Sequence, residues 1–211
     1  MTEQLTVGGR RISLNEAKAF ARIYLSGDGK WAYPAYDAYP GLPGTDVGRA
    51  DLLAVALLNA HQRPVESYYG LESLMPLINE RLADPALSGN LADADQETID
   101  AIARLFGILD EKRPKHVSLT KLSKVLHRKR PELLPLYDRN IWRCYAEDGL
   151  IPKDSNRSWH DYAQLLLAAM KYDLVEQFDQ WQIIADMATQ TRITPLRAMD
   201  IIGWHLGGQR T

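Results

Sequence analysis

Apolar residues recur along this chain at intervals of three and four, and β-branched runs that alternate at two are missing. That period puts one stripe of each segment on one face of a helix, and it excludes a sheet-based core. Helix signals bracket the stripes. Ser13-Leu14-Asn15-Glu16 has the pattern in which a serine hydroxyl and a glutamate satisfy each other's free amides. Ser158 with Asp161, and Thr194 before Pro195, open two further helices. The predicted helices cover 14–27, 51–58, 65–83, 94–111, 118–127, 139–147, 159–172, 174–189 and 195–206. Segment 51–58 is apolar all round, which predicts a central position. Residues 28–46, rich in Pro, Gly and Tyr, form a loop.

No repeat, linker or low-complexity tail interrupts the 211 residues, so the expectation is one compact all-α domain over 1–211. The chain carries 45% hydrophobic and 25% charged residues, which excludes disorder. No apolar run reaches the roughly 20 residues of a membrane span. The N-terminus lacks an apolar signal core, so a cytoplasmic location is expected. The single Cys144 excludes an internal disulfide and a cysteine metal site, and it reads as a small buried hydrophobe. His61, His116, His127, His160 and His205 show no metal-ligand spacing, so neither metal nor cofactor is expected. P-loop, dinucleotide and nucleophile-elbow motifs are absent.

A formal net charge of −2 conceals an asymmetry. Residues 112–130 hold eight of the 25 Lys/Arg and none of the 27 Asp/Glu. Such a segment either faces an anionic partner or forms a solvated face paired with the protein's own carboxylates. On the predicted helix Leu119, Leu122, Val125 and Leu126 share one side. Lys121, Lys124 and Arg128 form a stripe on the other. Ser118 leaves free amides at its start, and His127, Arg128, Lys129 and Arg130 sit where cations complement the helix dipole. The extended piece 131–137 then delivers Asp138 to the next helix. There it reads as an N-cap whose second oxygen can still act as a carboxylate beside a basic cleft.

The strings from Lys124 to Arg139, from Ile193 to Ile202 and from Asp51 to Asn59 resemble an uncharacterised bacterial family, a domain of unknown function. That likeness spans most of the chain and implies no activity. From Val117 to Arg143 the chain also resembles, distantly, the helix-hairpin-helix DNA glycosylase superfamily. Val125-Leu126, Asp138, Ile141 and Arg143 match its order without a gap. The resemblance implies two helical lobes with a cleft, DNA as partner through the 112–130 segment, and Asp138 as the catalytic aspartate. The hairpin glycines of that superfamily fall at His116 and Ser118, and its lysine nucleophile falls at Thr120. The implied chemistry is therefore monofunctional hydrolysis of an N-glycosidic bond at a flipped base. Ser118, Lys121, Lys124, Arg128, Lys129 and Arg130 are the implied phosphate contacts. Trp31, Tyr33, Tyr36 and Tyr39 are candidates to stack on the base, or else a lid whose rings plug the core. The alternative is a non-catalytic helical module that binds nucleic acid or a protein. Asp200 reads as a partner of Arg197 three residues earlier, and Trp142, Trp159, Trp181 and Trp204 read as core. Asp37 has no identifiable partner.

Overall fold

The computed structural model describes residues 3–60, 62–147 and 150–209, so His61 lies outside the described residues. It is mostly helical, as the spacing predicts, with one departure at the start. Strands β1 (Gln4–Val7) and β2 (Arg10–Ser13) form an antiparallel hairpin in which Leu5 faces Ile12 and Val7 faces Arg10. Gly8 turns it with a φ of +61°, as the first position of a type II′ turn requires. A Cβ on Gly8 would lie 2.1 Å from the Cys144 carbonyl oxygen, so only glycine lets the tip seat there. Leu5, Val7 and Ile12 point one way and are buried. The four-residue strands are too short to generate a readable alternation.

Helix α1 (Leu14–Tyr24) follows from β2 through the expected box, with Glu16 N donating to Ser13 Oγ and Ser13 N to Glu16 Oε2, each at 3.2 Å. An irregular stretch then covers residues 25–60. It contains a tight turn at Asp51–Leu53 and the four-residue α2 (Ala54–Leu57) in place of the longer central helix expected. Leu53 is 55% exposed, so this segment lies at the edge of the core. The buried Asp51 explains the break: its carboxylate accepts from Gly48 N at 2.8 Å and pairs with Lys129, which holds the start of the segment in a turn.

The remaining helices are α3 (Pro64–Leu82), α4 (Gln96–Phe106), α5 (Ile108–Glu111), α6 (Leu119–Lys129), α7 (Arg139–Trp142), α8 (Trp159–Glu176), α9 (Phe178–Ala185) and α10 (Pro195–Gly208). The predicted 94–111 helix breaks at Gly107, where His160 packs 3.0 Å from a would-be Cβ. The predicted 139–147 helix is one α turn that widens into a π-helical turn at Arg143–Glu147. Ser158 and Thr194 cap α8 and α10 as their positions predict. No helix among the described residues is long and apolar enough to cross a membrane.

One continuous apolar cluster joins the hairpin, α1, α3, α4, α6 and α8–α10, with Trp181, Tyr145 and Phe106 fully buried. Trp142, Trp159 and Trp204 pack against this cluster but are only partly buried, in contrast to the core position expected for them. The approach of α10 to α7 sets up the site. A Cβ on Gly207 would meet Asn140 O at 2.1 Å, and Asn140 Nδ2 donates to Trp204 O at 3.0 Å. Glycine here brings Trp204 and Asp200 beside the residue that heads α7.

Candidate functional site: a carboxylate in an aromatic cavity

The link from α6 to α7 begins as a turn, with the amides of Leu133 and Leu134 donating to Arg130 O and with Pro131 and Glu132 exposed, where an extended piece over 131–137 is expected. Residues 133–137 are buried, and Asp138 follows with extended backbone. Its Oδ1 accepts from Asn140 N at 2.8 Å and Ile141 N at 3.0 Å, the N-cap role expected of it. Oδ2 accepts no hydrogen bond from the described residues. The side chain is partly exposed and lines a cavity of about 130 Å³ with Lys124, Trp31, Tyr24, Tyr137 and Trp204. A void of ~150 Å³ accepts a benzene-sized ring, so this one fits a single planar ring system.

Charge around the cavity is balanced and pre-organised. Arg197, fully buried on α10, donates Nε to Asp37 Oδ1 at 2.8 Å and Nη2 to Asp37 Oδ2 at 3.3 Å. Its Nη1 donates to Asp200 Oδ2, the pair the i, i+3 spacing predicts. The guanidinium also lies over the Tyr24 ring at 5.9 Å and the Tyr36 ring at 5.5 Å. Burial raises the Asp200 carboxyl to about 6, with Arg197 opposing and Asp138 adding to the shift. Lys124 is lowered by burial, against the pull of the Asp138 and Asp200 carboxylates, and it donates Nζ to Leu58 O at 2.6 Å. Asp37, Arg197, Tyr24 and Trp204 escape sequence reasoning as site residues. Asp37 and Arg197 stand 160 positions apart, and no local pattern joins them.

The other predicted residues separate into groups. The cations of α6 are not a solvent-facing stripe. Lys121 is buried and donates to Gln62 O at 2.8 Å, His116 O at 2.9 Å and the Ser67 hydroxyl, which uses all three ammonium protons. Arg128 donates to Asp37 O at 2.8 Å and to Tyr39 O. Lys129 pairs with Asp51 at 2.7 Å and donates to Leu42 O, and Arg130 reaches Leu82 O at 3.3 Å. Lys121 has no donor left for the phosphate contact expected of it, and the others are turned to the protein's own carbonyls, although Arg130 spends a single guanidinium donor and the Nε atoms of Arg128 and Arg130 are buried without a partner among the described residues. The physical reason is length: long aliphatic stems carry each charge around the helix to the carbonyls of the irregular stretch. Ser118 is exposed and heads α6 without a side-chain cap bond, away from the cavity.

The tyrosine loop divides in the same way. Tyr33 is fully buried, and its hydroxyl accepts from Gln190 N at 2.6 Å and Thr191 N at 2.9 Å. Tyr36 is fully buried and donates to Lys124 O at 2.7 Å. Tyr39 donates to Ala50 O at 3.0 Å. The buried rings of Tyr33 and Tyr36 hold the loop down and cannot reach a base; Tyr39 is partly exposed but does not line the cavity, whereas Trp31 does. Cys144 is buried on the π-helical turn, as expected, and its thiol donates to Gly203 O at 3.3 Å. Among the described residues no group of three or more His, Cys, Asp or Glu is placed to hold a metal ion.

Comparison with known proteins gives one family. The model of a family described as "Family of unknown function (DUF6308)" matches residues 17–207. No curated protein and no solved structure matches the chain.

Proposed function

The chain belongs to this family of unknown function, and from that premise we propose that the cavity at Asp138 is the site of a DNA glycosylase-like hydrolase. It takes one nucleobase and cleaves its N-glycosidic bond. The observation that carries the reading is the division of labour within one carboxylate. Oδ1 is locked by two α7 amides, while Oδ2 is left open in a ring-sized cavity walled by Trp31, Tyr24 and Trp204.

Cleavage of the C1′–N bond sends the electron pair to the base and leaves positive charge on the sugar. A fixed carboxylate stabilises that charge without reorganising, since its orientation is set by the helix it caps. The same oxygen accepts the proton of the water that attacks C1′. The indoles of Trp31 and Trp204 supply faces and edges for a flipped ring. Lys124 offsets the negative charge of Asp138 and Asp200. For the strand itself, Lys112, Arg113 and Lys115 of the basic segment remain exposed, as does Arg139 beside Asp138.

Excision from a panel of duplexes and single strands carrying damaged or modified bases tests the reading. Asp138→Asn keeps an oxygen to cap α7, and product formation is expected to fall about a hundred- to ten-thousand-fold. Equal product from the variant and the parent would remove Asp138 from the chemistry. DNA binding without excision by the parent assigns the chain to the binding modules.

A further inference from the structure

A second cavity, of about 540 Å³, opens on the other side of Tyr137, which lines both. The short helix α7 spans them: Asp138 at its head faces the first, and Trp142 at its tail faces the second. The volume lies within the roughly 300–1,000 Å³ of ligand sites. Its walls combine aromatic surface with positive charge. Trp142, Trp159 and Tyr162 contribute partly exposed aromatic surface, and Tyr137, Trp159 and Tyr162 brace one another edge-to-face at 5.7–6.4 Å. Arg113, Lys153 and Arg157 contribute positive charge.

These cations differ from those of α6. Arg113 and Lys153 are exposed and make no hydrogen bond or ion pair among the described residues. Arg157 spends one guanidinium donor on Pro152 O at 2.7 Å and keeps the rest. Two acids, Asp110 and Asp154, line the same cavity, so its walls carry three positive charges against two negative ones, and the acids are held by main-chain amides. Both oxygens of Asp110 accept the α8 amides of Trp159 and His160, at 2.9 and 3.0 Å, and Asp154 Oδ1 accepts Asn156 N at 2.9 Å. With the first amides of α8 already bound to Asp110, an incoming anion is left to the three side-chain cations.

We infer that this second cavity binds the nucleotide next to the one held at Asp138. Its base rests on Trp142 and Trp159, and its phosphate is held by Arg113, Lys153 and Arg157. The inference rests on the reading of the first cavity for the identity of the polymer. A planar ring joined to a phosphate is the chemistry that satisfies an aromatic wall and unpaired cations together. A strand crossing Tyr137 from one cavity to the other places two successive nucleotides, both unstacked. The substrate class is therefore single-stranded or locally melted DNA rather than intact duplex.

Fluorescence polarisation with a labelled thymidine octamer, read across a salt series, tests this apart from catalysis. Arg113→Glu/Lys153→Glu alters only exposed side chains. It is expected to bind more weakly and to lower the log–log salt slope by about 1.4, at about 0.7 per contact on a single strand. Trp142→Ala is expected to weaken binding by about 5- to 150-fold, the worth of one stacked base. Unaltered affinity and slope in the double variant overturn the second site and leave excision at Asp138 standing. Charge-dependent octamer binding by a parent that excises nothing leaves the second site standing and removes the glycosidase. No octamer binding by the parent overturns the inference.

Discussion

The two halves of the basic segment carry the same kind of charge and put it to opposite uses. Lys121, Lys124, Arg128 and Lys129 turn inward and fasten the irregular stretch before α3 by its carbonyl oxygens. Lys112 is exposed but donates Nζ to Ser73 O at 2.7 Å, whereas Arg113 and Lys115 stay in water and Arg113 lines the second cavity. A run of cations is thus no single feature. On a helix that faces an unpaired stretch of main chain it is internal mortar, because backbone carbonyls there have no ladder to join. On a loop with nothing opposite, the same residues remain available to a partner.

The contrast breaks most sharply at Lys129. Its side chain and that of Asp51 are 3% and 2% exposed, so Lys129→Ala strands a buried carboxylate and should cost about 3–5 kcal/mol in urea unfolding. A loss no larger than that of a surface lysine would return α6 to the solvated faces.

The second effect is a pH dependence in the inward half. His127 is fully buried, donates Nδ1–H to Leu134 O at 2.7 Å, and is lowered by burial to about 4. Its folded pKa lies below the unfolded value of 6.5. Its contribution is therefore present above pH 6.5 and is lost as pH falls towards 4, by at most about 3 kcal/mol. Asp200 works the other way: raised to about 6, it favours the fold below its unfolded 3.8 and loses that favour as pH rises to 6. His127→Gln should therefore make the protein relatively more acid-resistant between pH 6.5 and 4. Parallel stability profiles for parent and variant would show that the imidazole does not titrate against the core.

The smallest effect sharpens the other side. Lys115→Ala should alter unfolding by no more than about 0.5 kcal/mol, and a loss above 1 kcal/mol would show that the outward half is structural as well.

Much of the fold is legible in the sequence, because its signals are local. The Ser13, Ser158, Thr194 and Asp138 caps all lie within three residues of the amides they satisfy, and the Arg197–Asp200 pair lies on one helix face. The chemistry-bearing members of the cavity, Asp138 and Lys124, were legible as types. What stayed hidden is long-range. Lys124 reaches Leu58 across 66 positions and Arg128 reaches Asp37 across 91, so periodicity alone places both on the wrong side of α6. The tyrosine loop supplied ring identities but not depth, and depth is what separates Trp31 from Tyr33 and Tyr36. The hairpin failed for want of length.

That α6 grips oxygen atoms of the chain itself has a consequence for how freely 38–50 can drift. Every amino acid offers the same carbonyl, so the grip of Arg128 on Tyr39 and of Lys129 on Leu42 does not depend on which side chains stand there. Mutation can rewrite much of that stretch while its path stays put.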